Sequence, residues 1–121
     1  MNVTERPAFD LSISHQEGIP VFHMIGRLMD QQQADRLMEA LNAELGKGPA
    51  SVVLDMSDLQ YMNSTGLNIL ISVLTTTRNK GGDTLIAGVS HSVRQLFVVT
   101  KLDSVFILTA SVEEAIAKLK G

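Results

Sequence analysis

The sequence predicts a single α/β domain over residues 1–121: a mixed, mostly parallel sheet opened by an antiparallel hairpin, with about four helices, in the order β-β-α-β-α-β-α-β-α. Three observations lead there. The chain has the length of one domain, and 45% hydrophobic residues are enough to build a core without staples. Two strand-like segments separated by turn residues come first. After them, short apolar runs alternate with apolar stripes at helical spacing, as in strands joined by crossover helices.

Phe9, Leu11 and Ile13 alternate with Asp10, Ser12 and Ser14, the period of a strand with one wet face. Gln16 to Pro20 supplies a turn around Gly18, and Val21 to Leu28 reads as the second strand of a hairpin. Asp30 with Gln33 has capping-box spacing, and Ala34, Leu37, Met38, Leu41 and Leu45 then share a helical face as far as Gly46. Ala50 to Met56 is a nearly continuous apolar run, expected at the sheet centre with both faces covered, and residues 57–66 are expected to form a loop at its carboxyl end. Leu67, Leu70, Ile71 and Leu74 form the stripe of a second helix ending near Lys80. At 100° per residue, Ile69 falls away from that stripe with Val73 between, which predicts some outward-facing apolar surface. Thr84 to Gly88 is a strand, Ser90 caps a helix carrying Val93, Leu96 and Phe97, and Val105 to Leu108 is the last strand. Ser111 with Glu114 suggests a second capping box ahead of a final helix through Leu119.

Composition narrows the function classes. Ten basic residues against thirteen acidic ones, with 4% aromatics and no tryptophan, make neither a cationic footprint nor a stacking platform for nucleic acid. No cysteine is present, so disulfides and thiolate sites are excluded. No apolar segment approaches the roughly 20 residues that span a bilayer, and MNVTERPAFD lacks a leader-like apolar stretch. These features predict a cytoplasmic protein that neither inserts in membranes nor binds nucleic acid.

The three histidines have no metal-ligand spacing, and no cofactor or metal is expected. Asp55 and Asp58 bracket the end of the central strand and could pair at Mg²⁺, but a strand-end aspartate more often bonds loop amides. No glycine motif cradles a phosphate. Ser64 lacks the GxSxG elbow, and a serine hydrolase would also need a base from elsewhere in the chain. Asn63 or Ser64 is a good helix cap, yet Gly66 in the first turn lowers helix stability, which implies that something approaches it closely. A hydroxyl at a helix start is also a site where a phosphate gains from free amides and the helix dipole.

Around this point the sequence resembles the anti-sigma factor antagonists, the single-domain members of the STAS family. The residues that carry the likeness are Asp55-Met56-Ser57, Leu59, Tyr61-Met62 and Asn63-Ser64-Thr65-Gly66-Leu67, with Gly26-Arg27-Leu28 and Asp30 upstream and Gly81-Gly82, TLIAG, Leu96-Phe97 and Leu102-Asp103 downstream. The likeness covers about residues 9–119. It implies a partner switch: the unphosphorylated antagonist binds an anti-sigma factor that is also a serine kinase, the kinase phosphorylates the serine matching Ser64, and a PP2C-type phosphatase resets it. ATP and Mg²⁺ would belong to the kinase, and this chain would be no enzyme. The implied contact residues are Asp58, Tyr61, Met62, Asn63, Ser64, Thr65, Gly66, Asn68, Ile69 and Val73. Two departures stand out: Asn63 replaces the usual aspartate, and the segment from Gly26 to Ala34 is one residue longer, with Met29 the addition. The alternatives are an unphosphorylated STAS subunit of a transporter or signalling assembly and, from another class, a small hydrolase using Ser64.

Overall fold

A computed structural model describes residues 9–121, so the leader-like stretch sought in residues 1–8 lies outside the described residues. Strands β1 (Phe9–Gln16) and β2 (Ile19–Leu28) form the hairpin, turned by Glu17 and Gly18 at φ 54° and 81°. Positive φ at both central residues is the twist that a two-residue hairpin needs, and Gly18 adopts it freely. Helix α1 (Gln31–Leu45) follows. Its capping box is complete: the Asp30 carboxylate accepts from the Gln33 amide, and the Gln33 side chain accepts from the Asp30 amide. Ala34, Leu37, Leu41 and Leu45 are buried, and Met38 is half-buried.

Strand β3 (Val52–Met62) takes the centre of a five-stranded sheet ordered β1-β2-β3-β4-β5, in which β1 and β2 are antiparallel and the remaining pairs parallel. Helix α2 (Ser64–Asn79), β4 (Thr84–Ala87), α3 (His91–Val99), a 3₁₀ turn (Leu102–Ser104), β5 (Ile107–Thr109) and α4 (Val112–Lys120) complete the chain. The larger core joins one sheet face to α1, α2 and α3; a smaller one seats Ala115 and Ile116 of α4 on Val21, Val53, Leu85 and Ala87 of the other.

The structure corrects four expectations. Residues 57–62 are not loop: β3 continues through them beside β2, taking an extra residue at each of two register shifts. Each bulge resets the alternation, so the buried residues Met56, Leu59 and Met62 fall three apart, a spacing that does not read as a strand. Ile69 and Val73 do not form an outward apolar face: they are 9% and 0% exposed, within the core that α1 and α2 share. The last strand begins at Ile107 rather than Val105, because the 3₁₀ turn carries the chain to Phe106, whose ring packs edge-on against Phe97 at 5.6 Å. The Ser111 cap forms, but the Glu114 carboxylate reaches past it to the Ala110 amide, at 2.7 Å.

One buried charge tests the α1 packing. Glu44 is held between His15 Nε2 at 2.7 Å and Lys47 Nζ at 3.1 Å. The His15 bond, with help from Lys47, outweighs burial and keeps this carboxyl below its ordinary value. A depressed folded-state value contributes stability above the unfolded one, about 4.3, and that contribution is lost as pH falls through the folded value. Urea midpoints between pH 7 and 3 are therefore expected to fall less steeply below about pH 4.3 for Glu44→Gln than for the wild type; parallel curves would remove Glu44 from the acid limb.

Candidate functional site

The end of β3 delivers the chain straight into α2. Asn63 is the cap: its Oδ1 accepts from the Gly66 amide at 3.1 Å, and its Nδ2 donates to the Met29 carbonyl at 3.0 Å. The two departures noted in the sequence are thus one feature. An aspartate could cap the helix but could not donate to Met29, which stands in the lengthened segment. Asn63 ties that segment to the helix start.

Ser64 is the first residue of α2; its side chain is exposed and makes no hydrogen bond among the described residues. The first amides of a helix have no partner within it. Asn63 satisfies that of Gly66, leaving those of Ser64 and Thr65 at the helix start, where the dipole favours an anion. Gly66 is buried, and the close neighbour it accommodates belongs to this chain: a Cβ there would lie 2.5 Å from the Leu28 carbonyl oxygen.

Two hollows flank the helix start. One, of about 490 Å³, lies between the end of β3 and α3; Tyr61, Met62, Asn63 and Ser64 line it with Val93, Leu96 and Val99. The other, of about 230 Å³, lies between α1 and α2 and is lined by Thr65, Asn68 and Ile69 with Gln31 and Ala34. The structure therefore gathers Tyr61, Asn63, Ser64, Thr65 and Asn68 at the surface, while Met62, Gly66, Ile69 and Val73 are buried supports. Asp58 is exposed on β3 and lines neither hollow. Sequence reasoning missed the α3 wall. Val99, 70% exposed beside the exposed Val98, is the trace it leaves: two adjacent valines at a helix end, neither of them buried. Arg27 was also missed; its guanidinium lies 5.8 Å from the Tyr61 ring centre, within cation–π range.

Other candidates resolve plainly. Asp55 is not at a strand end but within β3, where it accepts from the amide and hydroxyl of Ser57 and also bonds His23. Among the described residues no cluster of three metal-ligating side chains exists, and no helix is long and apolar enough to cross a membrane. No histidine lines either hollow at the start of α2: His15 bonds Glu44, His23 bonds Ser14 and Asp55, and His91 is exposed on α3. Among the described residues no side-chain base is hydrogen-bonded to Ser64.

The model of the STAS domain matches residues 10–115, and the chain belongs to that family. It is 30% identical over 93 residues to BtrV of Bordetella bronchiseptica, provisionally named an anti-sigma factor antagonist, covering 77% of this chain and 80% of that one. Among solved structures it shares the fold of the anti-sigma factor antagonist SpoIIAA in its unphosphorylated form, with TM-score 0.76 and 22% identity over 94% of this chain and 97% of that one. It also shares the fold of a sulfate transporter family protein from Wolinella succinogenes, with TM-score 0.75 and 19% identity over 87% of each chain.

Proposed function

We propose that this protein is an anti-sigma factor antagonist acting as a cytoplasmic partner switch, with Ser64 as its phosphoacceptor. The observation that carries the reading is the exposed, unbonded Ser64 hydroxyl at the start of α2, beside a hollow with an apolar α3 wall, in a chain whose relative BtrV bears the antagonist name. Unphosphorylated, the α2 start and the Tyr61–Val99 hollow dock on an anti-sigma factor that is also a serine kinase, and a sigma factor is released. A phosphate on Ser64 brings about −1.5 to −2 charges to that surface while it must shed water, and the complex loosens. A PP2C-type phosphatase restores the hydroxyl. The chain is substrate and binder; ATP and Mg²⁺ belong to the kinase.

The test uses the purified protein with its cognate kinase. Ser64→Ala is expected to bind the kinase but take no label from ATP, and Ser64→Asp to bind about 5-fold or more weakly, short of the full phosphate effect because it carries half the charge. Label persisting on Ser64→Ala would remove Ser64 as the acceptor. The Wolinella likeness favours a second reading, an unphosphorylated subunit of a transporter assembly. Mass spectrometry of the protein from its own cells separates the two, since an unmodified Ser64 under every growth condition supports the subunit.

A further inference from the structure

We propose that Ser14 is a second reactive hydroxyl, unconnected with Ser64, made nucleophilic by His23 and Asp55 and open to acylation by a thioester or activated ester. Ser14 Oγ lies 2.9 Å from His23 Nε2, and His23 Nδ1 lies 2.8 Å from Asp55 Oδ2. The polarity of this chain is set by its far end. An ionised carboxylate only accepts, so it takes the Nδ1 proton, and in the neutral form of the imidazole the Nε2 lone pair faces the serine O–H. Burial alone would raise the Asp55 carboxyl, but the Ser57 hydroxyl at 2.7 Å, the Ser57 amide at 3.1 Å and the His23 bond together outweigh it and hold the group below the ordinary carboxylate range. Asp55 therefore stays charged and keeps His23 in the tautomer that can receive a proton. Nucleophile, base and orienting carboxylate stand in the order that activates a serine.

The sheet register builds this arrangement from three neighbouring strands. His23 is directly opposite Asp55 in the parallel β2–β3 pair, and Ser14 is opposite Val21, one diagonal step from His23 in the antiparallel pair. His23 and Asp55 follow Val21 and Val53 by two residues, so they continue the sheet face on which α4 sits, beyond the part that Ala115 and Ile116 cover. Ser64 begins a helix packed into the core of the opposite face. The Ser14 site stays accessible: among the described residues β1 is an edge strand, Ser14 is half-buried, and the His23 side chain is 33% exposed. A cavity of about 360 Å³, lined by His23, Asp55, Ser57, Gly88 and Ser111 but not by Ser14 itself, adjoins the histidine.

In the reaction Ser14 Oγ attacks the acyl carbon while its proton passes to His23 Nε2. The carbon–sulfur bond then breaks and His23 returns the proton to the departing thiolate, leaving an acyl ester on Ser14 and a free thiol. The site is thus a modification site, stoichiometric in acyl group.

The experiment treats the full chain with a fluorophosphonate probe and, separately, with a short-chain acyl thioester, and maps the adducts by peptide mass spectrometry. Ser12, exposed on the same strand face and directly opposite His23 in the β1–β2 pair but not hydrogen-bonded to it, is the internal standard, so the comparison isolates the Ser14–His23 bond. The expected result is modification of Ser14 at least about 10-fold faster than of Ser12, given that a positioned base contributes about 10²–10⁴-fold. The adduct should persist in Ser64→Ala, vanish in Ser14→Ala, and slow at least about 10-fold in His23→Gln and in Asp55→Asn, each checked for native circular dichroism. An unmodified Ser14 in the wild type, equal rates at Ser12 and Ser14, adducts on Ser64 alone, or a Ser14 rate unchanged in a folded His23→Gln would each overturn the proposal. The wild-type comparison of Ser12 with Ser14 decides the matter even if both variants fail to fold.

Discussion

Gly66→Ala is expected to lower the free energy of unfolding by about 1–3 kcal/mol, the usual result of forcing a methyl group into packed structure. In an exposed first turn the same change would help, since alanine is better than glycine in a helix by roughly 0.5–1 kcal/mol. Contact decides the sign here. The added carbon would stand 2.5 Å from the Leu28 carbonyl oxygen, 3.0 Å from Met62 Cβ and 3.1 Å from Leu28 Cγ. The first of these is backbone, held by the β2–β3 pairing of Leu28 with Met62, and cannot swing aside as a side chain would. Either β2 or the start of α2 must move. The melting temperature should fall by roughly 4 °C for each kcal/mol in a domain this size. A midpoint within a degree of the wild type would show that the strand end yields freely, and that glycine is not required by this contact.

Asn63→Asp is expected to destabilise the fold by about 1 kcal/mol or more at pH 7, although it restores the residue usual in the family. Two effects oppose each other. Asparagine and aspartate cap helices about equally well, and a carboxylate at a helix start gains roughly 0.3–1 kcal/mol from the dipole. Against that, the substitution removes the donor to the Met29 carbonyl and sets a carboxylate oxygen against it; an unpaired, part-buried polar group costs about 1–3 kcal/mol. The second effect wins. The sign with pH follows: once protonated, the introduced carboxyl can donate to Met29, so folding raises its pKa and the deficit shrinks as pH falls through the folded value. Urea titrations of both proteins at pH 7 and pH 4 measure this. Equal stability at pH 7 would show that the link between Asn63 and Met29 contributes nothing. The same variant separates architecture from signalling, because a change in kinase labelling without a loss of stability would assign Asn63 to recognition instead.

Much of this molecule was legible before folding. The element order follows from apolar periodicity, since a strand and a helix bury different residue spacings whatever they pack against. The caps at Asp30, Ser90 and Ser111 are likewise local, each made between a side chain and an amide three residues on. The place of Ser64 at an exposed helix start was readable for the same reason, because the exposure of a helix's first residue depends on the few residues around it.

Tertiary structure decided what depends on distant partners. The extension of β3 needs β2 alongside it, and its bulges erase the alternation by which a strand is recognised. Ile69 and Val73 are off the narrow stripe of α2 but still buried, because α1 broadens the covered face of that helix. The reason for Gly66 is 38 positions away at Leu28, and that for Asn63 is 34 away at Met29. The chain from Ser14 through His23 to Asp55 joins three strands by side-chain hydrogen bonds that no spacing in the sequence marks, because strand register alone sets it. Local periodicity and capping were therefore written in the sequence. The close approaches around Ser64 and Ser14 came only from which strands and helices lie side by side.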